Sequence, residues 1–101
     1  IYILDICFGL GFNTLATLLH VETDKKLFIY SPEFDKELIE SLKDFTYPPE
    51  FEKLKDIVLT LAKYKKYESD NLNIYIIIGD ARVFVRDTKI KFDVVYQDAF
   101  P

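Results

Sequence analysis

Asp5, Gly9, Gly11, Glu33, Asp80 and Asp98 are the residues whose types and spacing could do chemistry in this chain. In "ILDICFGLGFNT", Gly9 and Gly11 allow a tight turn that can approach a ligand with no Cβ in the way, and the helix that follows offers unbonded N–H donors. A lone Gly-x-Gly pair does not name its ligand. A dinucleotide fingerprint would place a third small residue at position 14, and Thr14 there speaks against a pyrophosphate. Glu33 falls near the roughly twenty-residue offset at which an acid reaches ribose hydroxyls, its carboxylate accepting two O–H bonds. Its plainer reading is a first-turn acid that complements a helix dipole. Asp80 in "IIIGDAR" could accept from an adenine amino group, with backbone amides near Ala81 touching the ring, or cap a helix, or do both. Asp98 in "VVYQDAF" follows an apolar strand, where an unpaired carboxylate is costly, so an engaged carboxylate is expected.

The elements that must position these residues follow from periodicity. "IYILDIC" at 1–7 is too short for a helix and reads as a strand buried on both faces. A helix follows, with Asn13 or Thr14 as its cap and Leu15, Leu18 and Leu19 on its apolar side. "KLFIYS" at 26–31 is a second strand; Pro32 and the acids after it suit a first helical turn, with Phe34, Leu38, Ile39 and Leu42 as an apolar stripe. "TYPPE" at 46–50 breaks the chain, and a third helix is expected over about 50–67 from Phe51, Leu54, Ile57, Val58 and Leu61. "LNIYIIIG" is the third strand, "DARVFVRD" a short helix or turn, and "KFDVVYQD" the fourth strand. Alternating strands and helices imply an α/β fold with a parallel sheet, flanking helices and right-handed crossovers. In such a sheet ligands bind beyond the carboxyl ends of the strands, where the strand order reverses. Those four ends carry the Gly9–Gly11 turn, Glu33, Gly79 with Asp80, and Asp98.

The 101 residues, 50% of them hydrophobic and 16% aromatic, suffice for one small domain with a core. A net charge of −4 offers no broad basic face to nucleic acid. Cys7 and His20 are single, so neither a disulfide nor a metal site can be completed, and structural roles are expected for both. No secretory pattern is present and no apolar run approaches the roughly 18 residues of a membrane span, so a cytoplasmic protein with no membrane partner is expected. The tyrosines and phenylalanines belong mostly to the core, with Tyr96 and Phe100, flanking Asp98, as the exceptions.

Together, the D-x-x-x-G-x-G loop, the acid after the second strand, "GDA" after the third and the acid after the fourth resemble the Rossmann-like S-adenosylmethionine-dependent methyltransferases over essentially the whole chain. Within that class, "LDICFGLGFNTL" and "FDVVYQDAF" are similar to the MnmC-type family, which methylates the aminomethyl group on the wobble uridine of tRNA. The resemblance implies that residues 1–101 are the four-strand, amino-terminal portion of a methyltransferase domain. It implies S-adenosyl-L-methionine as cofactor, with Asp5, Gly9 and Gly11 at its methionine part, Glu33 at the ribose, and Asp80 with Ala81 at the adenine. Asp98 would face the reacting centre and orient the amine or ease its proton loss. tRNA is the implied partner, held through surfaces mostly outside these residues. Two departures stand out: Cys7 lies where many methyltransferases have glycine, and Pro101 directly follows Phe100 where the family commonly has D-A-F-x-P.

A related fold with an acid after the fourth strand also serves polyamine synthases, which transfer an aminopropyl group, and a non-catalytic module binding a nucleotide or protein would share these motifs too. A four-stranded piece would leave a sheet edge open to self-association.

Overall fold

The computed structural model describes residues 1–21 and 24–97. The chain forms β1 (Tyr2–Ile6), α1 (Phe12–His20), β2 (Leu27–Glu33), α2 (Lys36–Ser41), α3 (Lys55–Tyr64), β3 (Lys66–Glu68), β4 (Leu72–Ile78), α4 (Ala81–Asp87) and β5 (Val94–Gln97). Two 3₁₀ segments, Leu42–Asp44 and Pro49–Leu54, join α2 to α3. The architecture is α/β, with one mixed five-stranded sheet in the order β3-β4-β2-β1-β5 and flanking helices. From β1 the chain steps outward to β2 and β4 on one side and then returns to place β5 on the other, so the order reverses beside β1.

Alternation along the strands decides the two faces of the sheet. Ile3, Ile29 and Ile74 stand in one row across β1, β2 and β4 and are buried. Against them pack Leu15 of α1, Ile39 of α2 and Val58 and Leu61 of α3, each full burial being worth about 1.5–3 kcal/mol. The opposite face is aromatic. Tyr2 stacks on Phe28 at 4.7 Å between ring centroids, and Tyr30 meets Tyr75 at 5.0 Å and Phe84 of α4 at 6.3 Å.

Several sequence expectations are corrected. The sheet is mixed, because β3 pairs antiparallel with β4. The expected third helix stops at Tyr64, where Lys65 adopts φ +59° and turns the chain back, and 66–68 becomes an edge strand. Three residues are too few to show a strand period, so "KYE" continued the helical pattern in sequence. The opening turns of that expected helix are 3₁₀, in Pro49–Leu54. The N-cap of α1 is Gly11, at φ +84° and without a side-chain cap, in place of Asn13 or Thr14. Phe34 lies ahead of α2 and does not join its apolar stripe, and that helix is capped by Asp35, whose carboxylate accepts from Leu38 N at 3.0 Å.

Pro32 belongs to β2 instead of a helical turn, in the middle of the sheet, where a missing N–H should break a ladder bond. In parallel pairing the residue whose carbonyl accepts from Cys7 N, as Pro32 does at 3.0 Å, would donate its own N–H to the carbonyl of Asp5. The Ser31 hydroxyl donates to that carbonyl instead, at 2.6 Å, so the buried acceptor is satisfied. Replacing Ser31 by Ala removes this buried donor and is expected to cost about 1–3 kcal/mol. Urea unfolding of the Ser31→Ala and Ser41→Ala variants checks it, the latter losing only an exposed hydroxyl bond to Leu38 O and staying within about 0.5 kcal/mol of wild type.

Candidate functional site

Three parallel strands end side by side, and short hydrogen bonds lace their exits together. Cys7 N donates to Pro32 O, joining the exit of β1 to that of β2, and Gly79 N donates to Glu33 O at 3.0 Å, joining β2 to β4. Gly11 N donates to Phe8 O at 2.8 Å, closing a four-residue turn over Gly9 and Leu10. Gly9 has φ +58°, which L side chains seldom adopt, and this is why glycine stands there. Gly11 is doubly constrained: its φ is +84°, and a Cβ would lie 2.6 Å from the buried ring of Phe8. Cys7 also adopts a left-handed φ of +66° with an exposed side chain, in the conformation that glycine would supply more cheaply.

Glu33 is the residue that gathers the site. Its carboxylate is 7% exposed; Oε1 accepts from Gly9 N at 2.8 Å and Oε2 from Asp35 N at 2.9 Å. One side chain thus fixes both the glycine turn and the entry to α2, while its backbone holds Gly79. The acid is the last residue of β2 and not a first-turn residue of a helix. Each carboxylate oxygen carries two lone pairs, so both retain an acceptor site after these bonds.

The other expected residues are placed differently. Asp5 is 1% exposed beneath α1, and its Oδ2 accepts from Thr14 Oγ1 at 2.8 Å, so it ties the first turn of α1 to β1 from below. Asp80 caps α4 by accepting from Arg82 N at 2.8 Å and also receives the Arg82 guanidinium, with Nη2 at 2.9 Å. The guanidinium hydrogen bonds, aided by the backbone amide, hold the Asp80 carboxyl below its ordinary range. Ala81 begins α4 beside it. A cleft of about 400 Å³ opens there, bounded by Ile78, Gly79, Asp80, Val83 and Phe84. Asp98 and Phe100 lie outside the described residues; β5 is described up to Gln97, which pairs with Ile6. Tyr96 pairs with Asp5 across the strands and accepts from Thr17 Oγ1 at 3.3 Å, so it packs on α1. His20 is exposed in the last turn of α1, where a basic residue suits the dipole.

Two residues beside the strand exits are not read as site residues in the sequence, where Phe34 belongs to an apolar helical stripe. Phe34, directly after Glu33, is 81% exposed, an aromatic ring offered to solvent at the strand exits. Only its position next to a candidate ribose acid could have flagged it. Tyr47 reaches across from the segment between the 3₁₀ turns, and its hydroxyl donates to Leu10 O at 2.6 Å. Burial pushes its phenol up to about 12. Thirty-seven residues separate the partners, so no local pattern could have paired them. Among the described residues no group of three or more His, Cys, Asp or Glu side chains clusters as a metal site, and no helix is long and apolar enough to cross a membrane.

No family model and no solved structure matches the chain. It is 35% identical over 103 aligned positions to an uncharacterized protein of Methanocaldococcus jannaschii, a match that takes in 97% of this chain and 28% of that protein. The chain therefore spans a little over a quarter of the length of the curated relative it matches.

The turn geometry ranks substitutions. Gly9→Ala meets only the cost of its φ, about 1–2 kcal/mol, whereas Gly11→Ala adds a collision with Phe8 and is expected to lower the unfolding midpoint further. Cys7→Gly relieves a left-handed side chain and is expected to leave stability unchanged or raise it by up to about 1 kcal/mol. Denaturant titration of the three variants checks the order. For Asp80, a depressed folded-state pKa contributes stability above the ordinary carboxylate range that is lost as pH falls through the depressed value. Arg82→Ala is expected to move the Asp80 carboxyl back up, read by ¹³C carboxyl titration.

Proposed function

We propose that this chain forms the cofactor-binding part of a Rossmann-like S-adenosylmethionine-dependent methyltransferase, acting on the aminomethyl group of wobble uridine in tRNA. The observation that carries the cofactor assignment is the 2.8 Å bond between Glu33 and Gly9 N, because it brings the acid after the second parallel strand to the glycine turn after the first. A nucleoside joined to an amino acid is a ligand long enough to need both. Reversal of the strand order beside β1 puts that turn at the crevice where open α/β sheets bind ligands. The acceptor and the tRNA rest on the sequence resemblance alone.

The residues fit such a ligand in distinct ways. Gly9 has no side chain to crowd a ligand over the turn, and the amino-terminal end of α1, capped by Gly11 with no side chain of its own, has the dipole sign that suits the carboxylate of the methionine part. Glu33 retains acceptor capacity for ribose hydroxyls beside the amides it already holds. Phe34 offers a ring for the adenine to stack on, at the exit where Gly79, Asp80 and Ala81 offer polar partners to its edge. Asp5 contributes from beneath, by fixing α1 through Thr14. When bound, the cofactor supplies a methyl group on a sulfonium, already a good leaving group. What remains for the protein is to hold a neutral amine in line with the S–CH₃ bond and to exclude water. Asp98 is the residue proposed to orient that amine.

Titration calorimetry with S-adenosylhomocysteine tests the assignment, and the absence of any heat would sink it. Phe34→Ala provides a sharper check. With a side chain so exposed the unfolding free energy is expected to stay within about 0.5 kcal/mol, while loss of a stacking platform worth about 1–3 kcal/mol weakens binding by roughly 5- to 150-fold.

A further inference from the structure

Glycines make the Gly9–Gly11 turn possible and also make it loose, since each lacks the Cβ that would narrow its backbone choices. Something outside the turn must hold it in one shape. Glu33 holds the Gly9 N–H, and the ring of Phe8 closes the space behind Gly11. The peptide between Leu10 and Gly11 is the link that sets the direction of α1, because Gly11 is the N-cap of that helix. Its carbonyl is held by the hydroxyl of Tyr47 at 2.6 Å.

The other end of this strut is rigid. The Tyr47 ring meets Phe45 edge-on at 4.6 Å, Phe12 at 5.7 Å and Phe51 at 6.3 Å. Phe12 is the first residue of α1, and Phe51 is buried in the core. Pro48 and Pro49 follow Tyr47 directly and restrict the backbone that carries it. The phenol therefore cannot follow the turn if the turn moves; it either holds the carbonyl or loses it. Edge-to-face packing of this kind does not require a hydroxyl, so a phenylalanine would serve the aromatic cluster equally well. What tyrosine adds is the bond to Leu10 O.

We propose that Tyr47 is a positioning residue for the cofactor turn, its hydroxyl holding the Leu10–Gly11 peptide so that the first turn of α1 and the glycine turn keep the shape that receives the ligand. This rests on the cofactor assignment made above. Tyr47 acts through the backbone of Leu10 and does not touch the reacting atoms. Removing the hydroxyl leaves the rings packed and the turn free to sample shapes that do not bind, so ligand affinity falls while the fold stays.

The test compares Tyr47→Phe with Tyr75→Phe, a control that also loses a phenolic hydrogen bond, from Tyr75 to Glu68 Oε2 at 2.8 Å, on the far edge of the sheet. In calorimetry with S-adenosylhomocysteine, Tyr47→Phe is expected to weaken binding by about five- to tenfold, with Tyr75→Phe within about twofold of wild type. Thermal unfolding of both ligand-free variants is expected within about 5 °C of wild type. Amide exchange in the ligand-free protein gives a second readout: the Gly11 N–H, bonded to Phe8 O, exchanges faster in Tyr47→Phe and unchanged in Tyr75→Phe. Equal affinity in Tyr47→Phe and wild type, equal exchange at the turn, or a loss of fold in Tyr47→Phe would each overturn the positioning role. Failure of the wild-type protein itself to bind would instead overturn the cofactor assignment, leaving the exchange comparison to decide whether Tyr47 holds the turn.

Discussion

The Glu33 carboxylate, buried at the end of a central strand and bonded to two backbone amides, is the constraint on which the rest of the site depends. A carboxylate at that depth is tolerable only with donors directed at it. The donors available are the amide of a glycine turn and the amide at the entry to α2, so burying Glu33 forces both loops into place. Its backbone carbonyl, taken by Gly79, adds the third strand exit. Three loops far apart in sequence meet around one residue.

Around that point the molecule repeatedly repairs backbone irregularities with side chains. Pro32 interrupts the ladder between β1 and β2, and Ser31 meets the carbonyl it leaves. The N-cap Gly11 brings α1 no side-chain cap, and Thr14, one of the two cap candidates in the sequence, lies inside the first turn and reaches down to Asp5. The glycine turn is loose by composition and is gripped from above by Tyr47 and from behind by Phe8. Each repair lies near the strand exits, whereas the rows of isoleucine in the middle of the sheet need none. Such irregular backbone costs about 1–3 kcal/mol per strained residue and persists only where the surrounding contacts over-determine it.

The two faces of the sheet show a related asymmetry. The isoleucine face is sealed by α1, α2 and α3, while the tyrosine face is met by α4, which buries no residue fully. Firm packing on one face keeps β1, β2 and β4 in register, and with them the relative heights of the loops at their ends.

From the sequence alone the order of strands and helices, the glycine turn over the first strand and the acids at the strand ends could be read, because burial on one face imprints a period on each segment and glycine and proline mark where it stops. The α/β class followed from that order. Local pattern misplaced what depends on partners distant in the chain: Pro32 inside a strand, made possible by Ser31; Gly11 as the cap of α1, with Thr14 drawn away to Asp5; and the edge strand at 66–68, which exists only because Ile74 and Tyr75 lie beside it. That Glu33 grips the glycine turn, and that Tyr47 steadies it from thirty-seven residues away, was decided by tertiary structure. A hydrogen bond depends on where two groups sit in space, and sequence spacing records that only when the groups share one helix, strand or turn.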